Sequence, residues 1–165
     1  MKLLVLSDSH SSLSFMRFAI EQVKPDGIVH LGDHYDDGEV LREEYPDIRV
    51  WQVPGNCDRY RVPPYVPEIL IEPIGGALFY MTHGHRHNVK LGLWKLISEA
   101  EQSNAQCVLF GHTHEPYCEM EDEDFWVMNP GSCGYGGGSV GLVEIADKKI
   151  RSCRILDRTE LEELA

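Results

Sequence analysis

The stretch Leu3-Leu4-Val5-Leu6-Ser7-Asp8-Ser9-His10, followed by Gly27-Ile28-Val29-His30-Leu31-Gly32-Asp33, decides the fold. Each half is a short apolar run that stops abruptly on hard, metal-loving side chains. Four apolar residues in a row read as a strand buried on both faces. Between the halves, Leu13, Phe15-Met16, Ala19-Ile20 and Val23 recur at helical spacing. Ser11-Ser12 offers N-cap hydroxyls, and Pro25-Asp26-Gly27 ends the helix. Strand, helix and strand within ~30 residues is the βαβ signature of a parallel sheet.

Three more runs of the same kind lie downstream. They are Gly55-Asn56-Cys57-Asp58 after Pro54, Thr82-His83-Gly84-His85 after Leu78-Phe79-Tyr80-Met81, and Gly111-His112-Thr113-His114 after Val108-Leu109-Phe110. Polar runs at the ends of buried strands collect along one edge of a sheet, where open α/β sheets bind ligands. Asp8 and His10 are two residues apart, so on an extended segment they project to one side and can grip one ion. His112 and His114 repeat that spacing after Gly111, which permits a tight turn off the strand. A lone Asp-x-His is weak evidence; the five runs together predict a metal site holding two ions. Of the other histidines, His30 reads as structural and His87 as solvated, with His34 and His85 near the site. Asp36-Asp37 and Glu121 to Asp124 read as exposed, turn-forming acids.

The rest of the chain is strand, turn and short helix. A short helix is expected over Glu39 to Tyr45 and a third strand over Ile48 to Val53. Residues 60–67, rich in Pro and Tyr, read as an irregular loop. Ile69 to Glu72 and Ala77 to Met81 flank a hairpin turn at Pro73 to Gly76. A second amphipathic helix is expected over Leu91 to Ser103, with Trp94 among its apolar positions. Paired strands are expected at Tyr117 to Met120 with Phe125 to Met128, and at Val140 to Ile145 with Ile150 to Leu156. Asp157 to Ala165 reads as a short helix or a frayed end. The three tryptophans, at 51, 94 and 126, read as core or interface, with core preferred for each. The sum is a parallel βαβ half joined to a more antiparallel half, two sheets packed together with helices outside.

A chain of 165 residues with 42% hydrophobic residues is one ordinary domain, residues 1–165, with a full core. The first apolar run is too short for a signal peptide, and no run is long enough to span a bilayer. A soluble, cytoplasmic protein is expected. Five cysteines without a Cys-x-x-Cys pair argue against a disulfide framework or a zinc knot. Cys107, Cys118 and Cys153 are expected to pack as small apolar groups. A net charge of −12 argues against broad binding to nucleic acid or to anionic membrane, since both need a basic surface. Asn129-Pro130-Gly131-Ser132 and the glycines that follow lack the lysine of a P-loop and read as a flexible loop bordering the site.

Asp8-x-His10, Gly32-Asp33, Gly55-Asn56-x-Asp58, His83 and Gly111-His112-x-His114 together resemble the motif set of the calcineurin-like metallophosphoesterases. The length, the Gly-Asn-Cys-Asp variant and the Asn129 to Ser132 run are similar to the small, single-domain YfcE-like phosphodiesterase branch. The resemblance implies an α/β (α+β) fold, a four-layer αββα sandwich of two mixed β-sheets flanked by helices. It implies that Asp8, His10 and His114 hold one metal, that Asn56, His83 and His112 hold the second, and that Asp33 bridges them. It selects His83 over His85 as the ligand. The implied cofactor is two divalent ions, Mn²⁺ first, with Fe²⁺, Zn²⁺, Co²⁺ or Ni²⁺ also suited to mixed His, Asp and Asn ligands. The implied reaction is hydrolysis of a small phosphodiester by a hydroxide bridging the two ions, whose bound water ionises near neutral pH. Asp33, Asn56, Cys57, Asp58 and His85 are the candidates for a direct part in catalysis. Many superfamily members carry a histidine where Cys57 stands, thought to protonate the leaving group; a thiol is a poorer donor and favours substrates with good leaving groups. The alternatives are a phosphomonoesterase acting on nucleotides or phosphoprotein, and a catalytically weak protein-binding scaffold like the retromer subunit that resembles this family. A homodimer is the family's tendency.

Overall fold

The computed structural model describes Met1 to Ala165. Strand β1 (Lys2–Leu6) leads through helix α1 (Leu13–Val23) to β2 (Gly27–His30), then through α2 (Tyr35–Glu44) to β3 (Arg49–Gln52). These strands are parallel, with Leu4 beside Ile28 and Ile28 beside Val50. The chain then forms a hairpin, β4 (Ile69–Ile74) and β5 (Ala77–Thr82), helix α3 (Trp94–Gln102), β6 (Cys107–Leu109) and a second hairpin, β7 (Tyr117–Asp122) and β8 (Phe125–Asn129). It closes with β9 (Ser139–Ala146), β10 (Lys149–Asp157) and α4 (Arg158–Glu162). The first sheet runs β10-β9-β1-β2-β3 and the second β4-β5-β6-β8-β7. Each has three parallel strands with antiparallel strands beyond them.

Strict alternation along β1 explains the layering. Leu3 and Val5 point into a core between the sheets, where they meet Phe79, Met81, Leu109 and Met128. Leu4 and Leu6 point the other way, into a core with Phe15, Met16, Ile20, Leu41 and Leu161 of the outer helices. Across the second sheet, Tyr80, Val108 and Val127 pack under Leu96 and Ala100 of α3. The result is a four-layer αββα sandwich of two mixed sheets. No helix is long and apolar enough to cross a membrane.

Four details differ from the sequence reading. Helix α2 begins at Tyr35, a full turn early, and carries Asp37 into the interior instead of exposing it. Asp37 is held there because its carboxylate accepts hydrogen bonds from Ser9 Oγ (2.7 Å) and the Ser11 N–H (2.9 Å). Helix α3 begins only at Trp94, after a turn through Gly92, and Trp94 is 78% exposed rather than core; Trp51 is buried and Trp126 half-buried. His87 is buried, not solvated: its Nε2 lies 3.0 Å from Tyr80 Oη and 2.9 Å from Glu99 Oε2. Ser12 occupies the N-cap of α1 without a side-chain cap bond. At the far end, Asp157 and Glu160 form a reciprocal capping box, so the tail is helical. Cys107 and Cys153 are buried and Cys118 half-buried, all as free thiols.

Candidate metal centre

All five ligand runs leave the carboxyl ends of parallel strands. Asp8 and His10 follow β1, Asp33 follows β2, Asn56 follows β3, His83 follows β5, and His112 and His114 follow β6. The two sheets present these ends side by side. The Gly111 N–H donates to His83 O, the Asp8 N–H to Gly32 O and the Cys133 N–H to Ser7 O, so neighbouring loops are tied by backbone bonds. Gly111 is required by crowding, not by an unusual turn: a Cβ there would collide with Ser7 Oγ and lie 2.7 Å from Asp8 Oδ2. Five of the seven candidate ligands adopt left-handed backbone, Asp8 (φ 50°), His10 (43°), Asp33 (51°), His112 (72°) and His114 (61°). Such positions cost an L-residue on the order of 1–3 kcal/mol each and cluster at functional sites.

The side chains fall into two groups whose ligand atoms lie within 4.8 Å of one another, Asp8 with His10 and His114, and Asp33 with His83 and His112. Asn56 joins the second, its Oδ1 3.1 Å from His83 Nε2. The groups meet at His83, whose Nε2 is 3.4 Å from Asp33 Oδ2 and 3.9 Å from Asp8 Oδ1. Their inner atoms are prepared for a cation. Asp8 Oδ2 accepts from Ser7 Oγ (2.5 Å) and the His112 N–H (3.0 Å), while the buried Asp8 Oδ1 makes no aligned hydrogen bond and faces His114 Nε2 at 3.1 Å, and His10 Nε2 has no partner. Buried polar atoms without partners are costly, and an ion would satisfy both. His83 Nδ1 donates to Leu31 O at 2.7 Å, which turns Nε2 inward, as ligating histidines are ordinarily held.

Electrostatics follows from this packing. Burial alone would raise the Asp33 carboxyl, but hydrogen bonding to His83, the charge on that imidazole and the Cys57 N–H hold it well below the usual carboxylate range. Burial would likewise lower His83, yet Asp33 and Asp8 outweigh it and raise it. The two carboxylates thus favour the charged form of the His83 imidazole. Burial, then the charge on His83 and Lys90, lowers His112 to about 4, which keeps a lone pair free for an ion. The Cys57 thiol is exposed but raised, by partial burial and the charge of Asp33.

The remaining expected site residues take distinct places. Asp58 is buried and accepts the N–H groups of Asp33 (2.9 Å), Gly55 (2.7 Å) and Tyr35 (2.9 Å), so it positions Asp33. His85 lies at the rim, its ring 5.5 Å from His83 and 6.2 Å from His112, with Nε2 3.5 Å from Glu68 Oε1. His34 caps α2 and touches Ser11 Oγ and Arg61. The sequence reading missed three supports. Ser132 Oγ donates to Asp8 O (2.7 Å), and Asn129 Nδ2 to Gly111 O (3.1 Å), so that run braces the ligand loops from behind. Tyr135 stacks on His114 at 5.3 Å and leans on His10 at 5.0 Å. Ser9 Oγ, buried between two ligands, accepts from His30 Nε2 (2.9 Å) and donates to Asp37. The Gly32 N–H donates to His30 Nδ1, which assigns the proton to Nε2.

That tautomer predicts a pH dependence. Burial lowers His30 from 6.5 to about 4. The unfolded chain therefore binds the proton first as pH falls, and the neutral imidazole contributes stability that is complete above pH 6.5 and lost between 6.5 and about 4. The loss is on the order of 3 kcal/mol, at ~1.4 kcal/mol per unit. Denaturant titrations of metal-free protein at pH 7 and pH 4 are expected to show a steeper loss in wild type than in His30→Gln. Parallel losses would refute the assignment.

Comparison with known proteins gives a consistent picture. Residues 1–148 match the model of the calcineurin-like phosphoesterase superfamily domain. A phosphodiesterase of Methanocaldococcus jannaschii is 29% identical, over 92% of this chain and 97% of its own. A Streptococcus pneumoniae protein described as a predicted phosphoesterase has a crystal structure with TM-score 0.72 and 28% identity, covering 96% of this chain and 90% of that one. Vps29 of Entamoeba histolytica, crystallised with zinc, superposes with TM-score 0.65 over 95% of this chain and 99% of that one; at 20% identity it is a likeness of fold.

Proposed function

The chain belongs to the calcineurin-like phosphoesterase superfamily, and we propose that it is a phosphodiesterase that cleaves a small phosphodiester with the help of two divalent metal ions. The observation that carries this reading is the pair of adjoining ligand groups, Asp8 with His10 and His114 and Asp33 with His83 and His112, with His10 Nε2 buried and unpartnered in the first. Asp8, His10 and His114 would hold one ion, Asn56, His83 and His112 the other, and Asp33 would lend an oxygen to each. Bound ions supply a water acidified toward neutral pH and positive charge for the phosphoryl oxygens. The protein's own groups do the rest. Ser7, the His112 N–H and the Cys57 N–H orient the two carboxylates. Asp58 and Leu31 fix Asp33 and His83. His85 faces the site from its rim and suits a contact with the ester. Cys57 remains a protonated thiol at neutral pH, a weak acid beside Asn56, which favours esters with good leaving groups.

Mn²⁺ is the first candidate, and the histidine-rich donor set also suits Fe²⁺, Zn²⁺, Co²⁺ and Ni²⁺. The five free thiols fit the reducing cytoplasm. Homodimerisation rests on the family's tendency alone. The scaffold alternative draws support from the fold shared with Vps29, and the monoesterase alternative from the same ligand set. The test is turnover of bis(p-nitrophenyl) phosphate against p-nitrophenyl phosphate, with metal content measured on the same sample. At least about tenfold faster diester turnover is expected. A monoester preference would overturn diester specificity, and metal-free, inactive protein across all five ions would favour the scaffold.

A further inference from the structure

Beside the second ligand group lies a cavity of about 490 Å³, within the range of small-molecule sites. It shares a wall with the metal centre. Gly55 and Asp58 line it, a Cβ on Gly55 would collide with Asp33 Oδ1, and Asp58 carries the Asp33 backbone. Glu68, also in the lining, lies 3.5 Å from His85 Nε2. Gly55 and Asp58 form the partition between the two, so an ester arm reaching from the metal centre into the cavity would pass the rim at His85 and Glu68.

Its surface has a definite chemistry. Four proline rings, at 54, 63, 64 and 67, with Val62 make a stiff apolar wall, and the Tyr65 ring, 84% exposed, stands free at its edge. Two guanidinium groups line it. Arg86 is paired with Glu68 at 2.5 Å. Arg59 leans 5.6 Å from the Tyr60 ring and makes no ion pair, in a chain whose net charge is −12. The Asp58 carboxylate is consumed by backbone N–H groups. The cavity thus offers flat apolar and aromatic surface for a ring and one uncommitted cation for an anion.

We propose that this cavity is the subsite for one alcohol arm of the phosphodiester, and that the arm bears a ring and an anionic group of its own, a nucleoside phosphate in size and charge. The assignment rests on the phosphodiesterase reading and narrows its substrate class. Arg59 pairs with the second phosphate, and Tyr65 and the prolines cover the ring.

Three esters with the same leaving group test it: methyl p-nitrophenyl phosphate, the p-nitrophenyl ester of a nucleoside monophosphate, and that of a nucleoside bisphosphate. In metal-loaded wild type, kcat/KM is expected to rise along the series, by at least about tenfold from the monophosphate to the bisphosphate, the scale of a charge-assisted contact. Arg59→Ala brings the bisphosphate ester down to the level of the monophosphate ester. Val62→Trp, which fills the cavity, removes the preference of both over the methyl ester. Each comparison is a ratio within one protein, so loss of folded material cancels. Ratios near one in wild type, or unchanged in both variants, overturn the subsite while leaving the diesterase reading intact. No turnover of any ester overturns both.

Discussion

Replacing Asp33 with alanine is expected to lower diester turnover by roughly three orders of magnitude, the effect of losing several kcal/mol of charge stabilisation at tenfold per ~1.4 kcal/mol. Asp33 stands between the two ligand groups. Its Oδ1 accepts the Cys57 N–H at 3.0 Å and its Oδ2 is 3.4 Å from His83. Alanine removes the carboxylate and also places an apolar residue on left-handed backbone (φ 51°), where Asp and Asn are better tolerated. Asp33→Asn is therefore the companion variant: it keeps the shape and the backbone preference and deletes the charge. Both are expected to lose turnover, with Asp33→Asn closer to wild type in melting temperature. Steady-state kinetics with metal content by mass spectrometry checks this. Turnover of Asp33→Asn within tenfold of wild type, with metal retained, would remove Asp33 from the bridging role.

Chelation is expected to cost stability as well as activity. Asp8 and His10 come from the first sheet and His114 from the second; Asp33 and Asn56 come from the first, and His83 and His112 from the second. An ion in either group would therefore be held from both sheets, and it would bind only when they are docked. Binding to the folded state alone contributes about 4 kcal/mol for a ligand present at ~1,000 times its dissociation constant. For a chain of this length each kcal/mol moves the midpoint by ~2–4 °C. Calorimetry with excess Mn²⁺ and with EDTA is expected to differ by about 10 °C. A midpoint indifferent to metal would count against both sites. The residual stability of the chelated protein comes from the three hydrophobic cores, which do not depend on metal.

Much of the scaffold was legible in the residues because buried strands announce themselves by alternation and by where they stop. Leu3 to Leu6 ends on Asp8, and Gly27 to Leu31 on Asp33, and both were read as strand ends bearing ligands. The division of the ligands into two groups came from family resemblance, since spacing along the chain cannot say that His114 faces Asp8 while His112 faces Asp33. Asp37 was misread because an acid beside another acid looks solvated. Its partners, Ser9 and Ser11, lie 28 and 26 residues away and meet it only once α2 packs on the first sheet. His87 failed in the same way, with Glu99 supplied from another element. Trp94 was placed in the core by its period, but Gly92 delays α3 and turns it outward. The cavity behind Asp58 had no signal at all, because a proline-rich loop reads as spacing until its rings are seen to form a wall.

The left-handed backbone at Asp8, His10, Asp33, His112 and His114 has a consequence for lineages that keep this architecture and abandon its chemistry. While the ions are needed, each of these positions must keep an Asp or His, which tolerates left-handed backbone better than most side chains but less well than glycine. Once they are not, drift toward glycine or asparagine removes a ligand and relaxes the backbone in one step. Decay of the centre should thus leave a directional imprint: descendants that serve only as folded surfaces would accumulate small, permissive residues at these five sites before the strands that lead to them change.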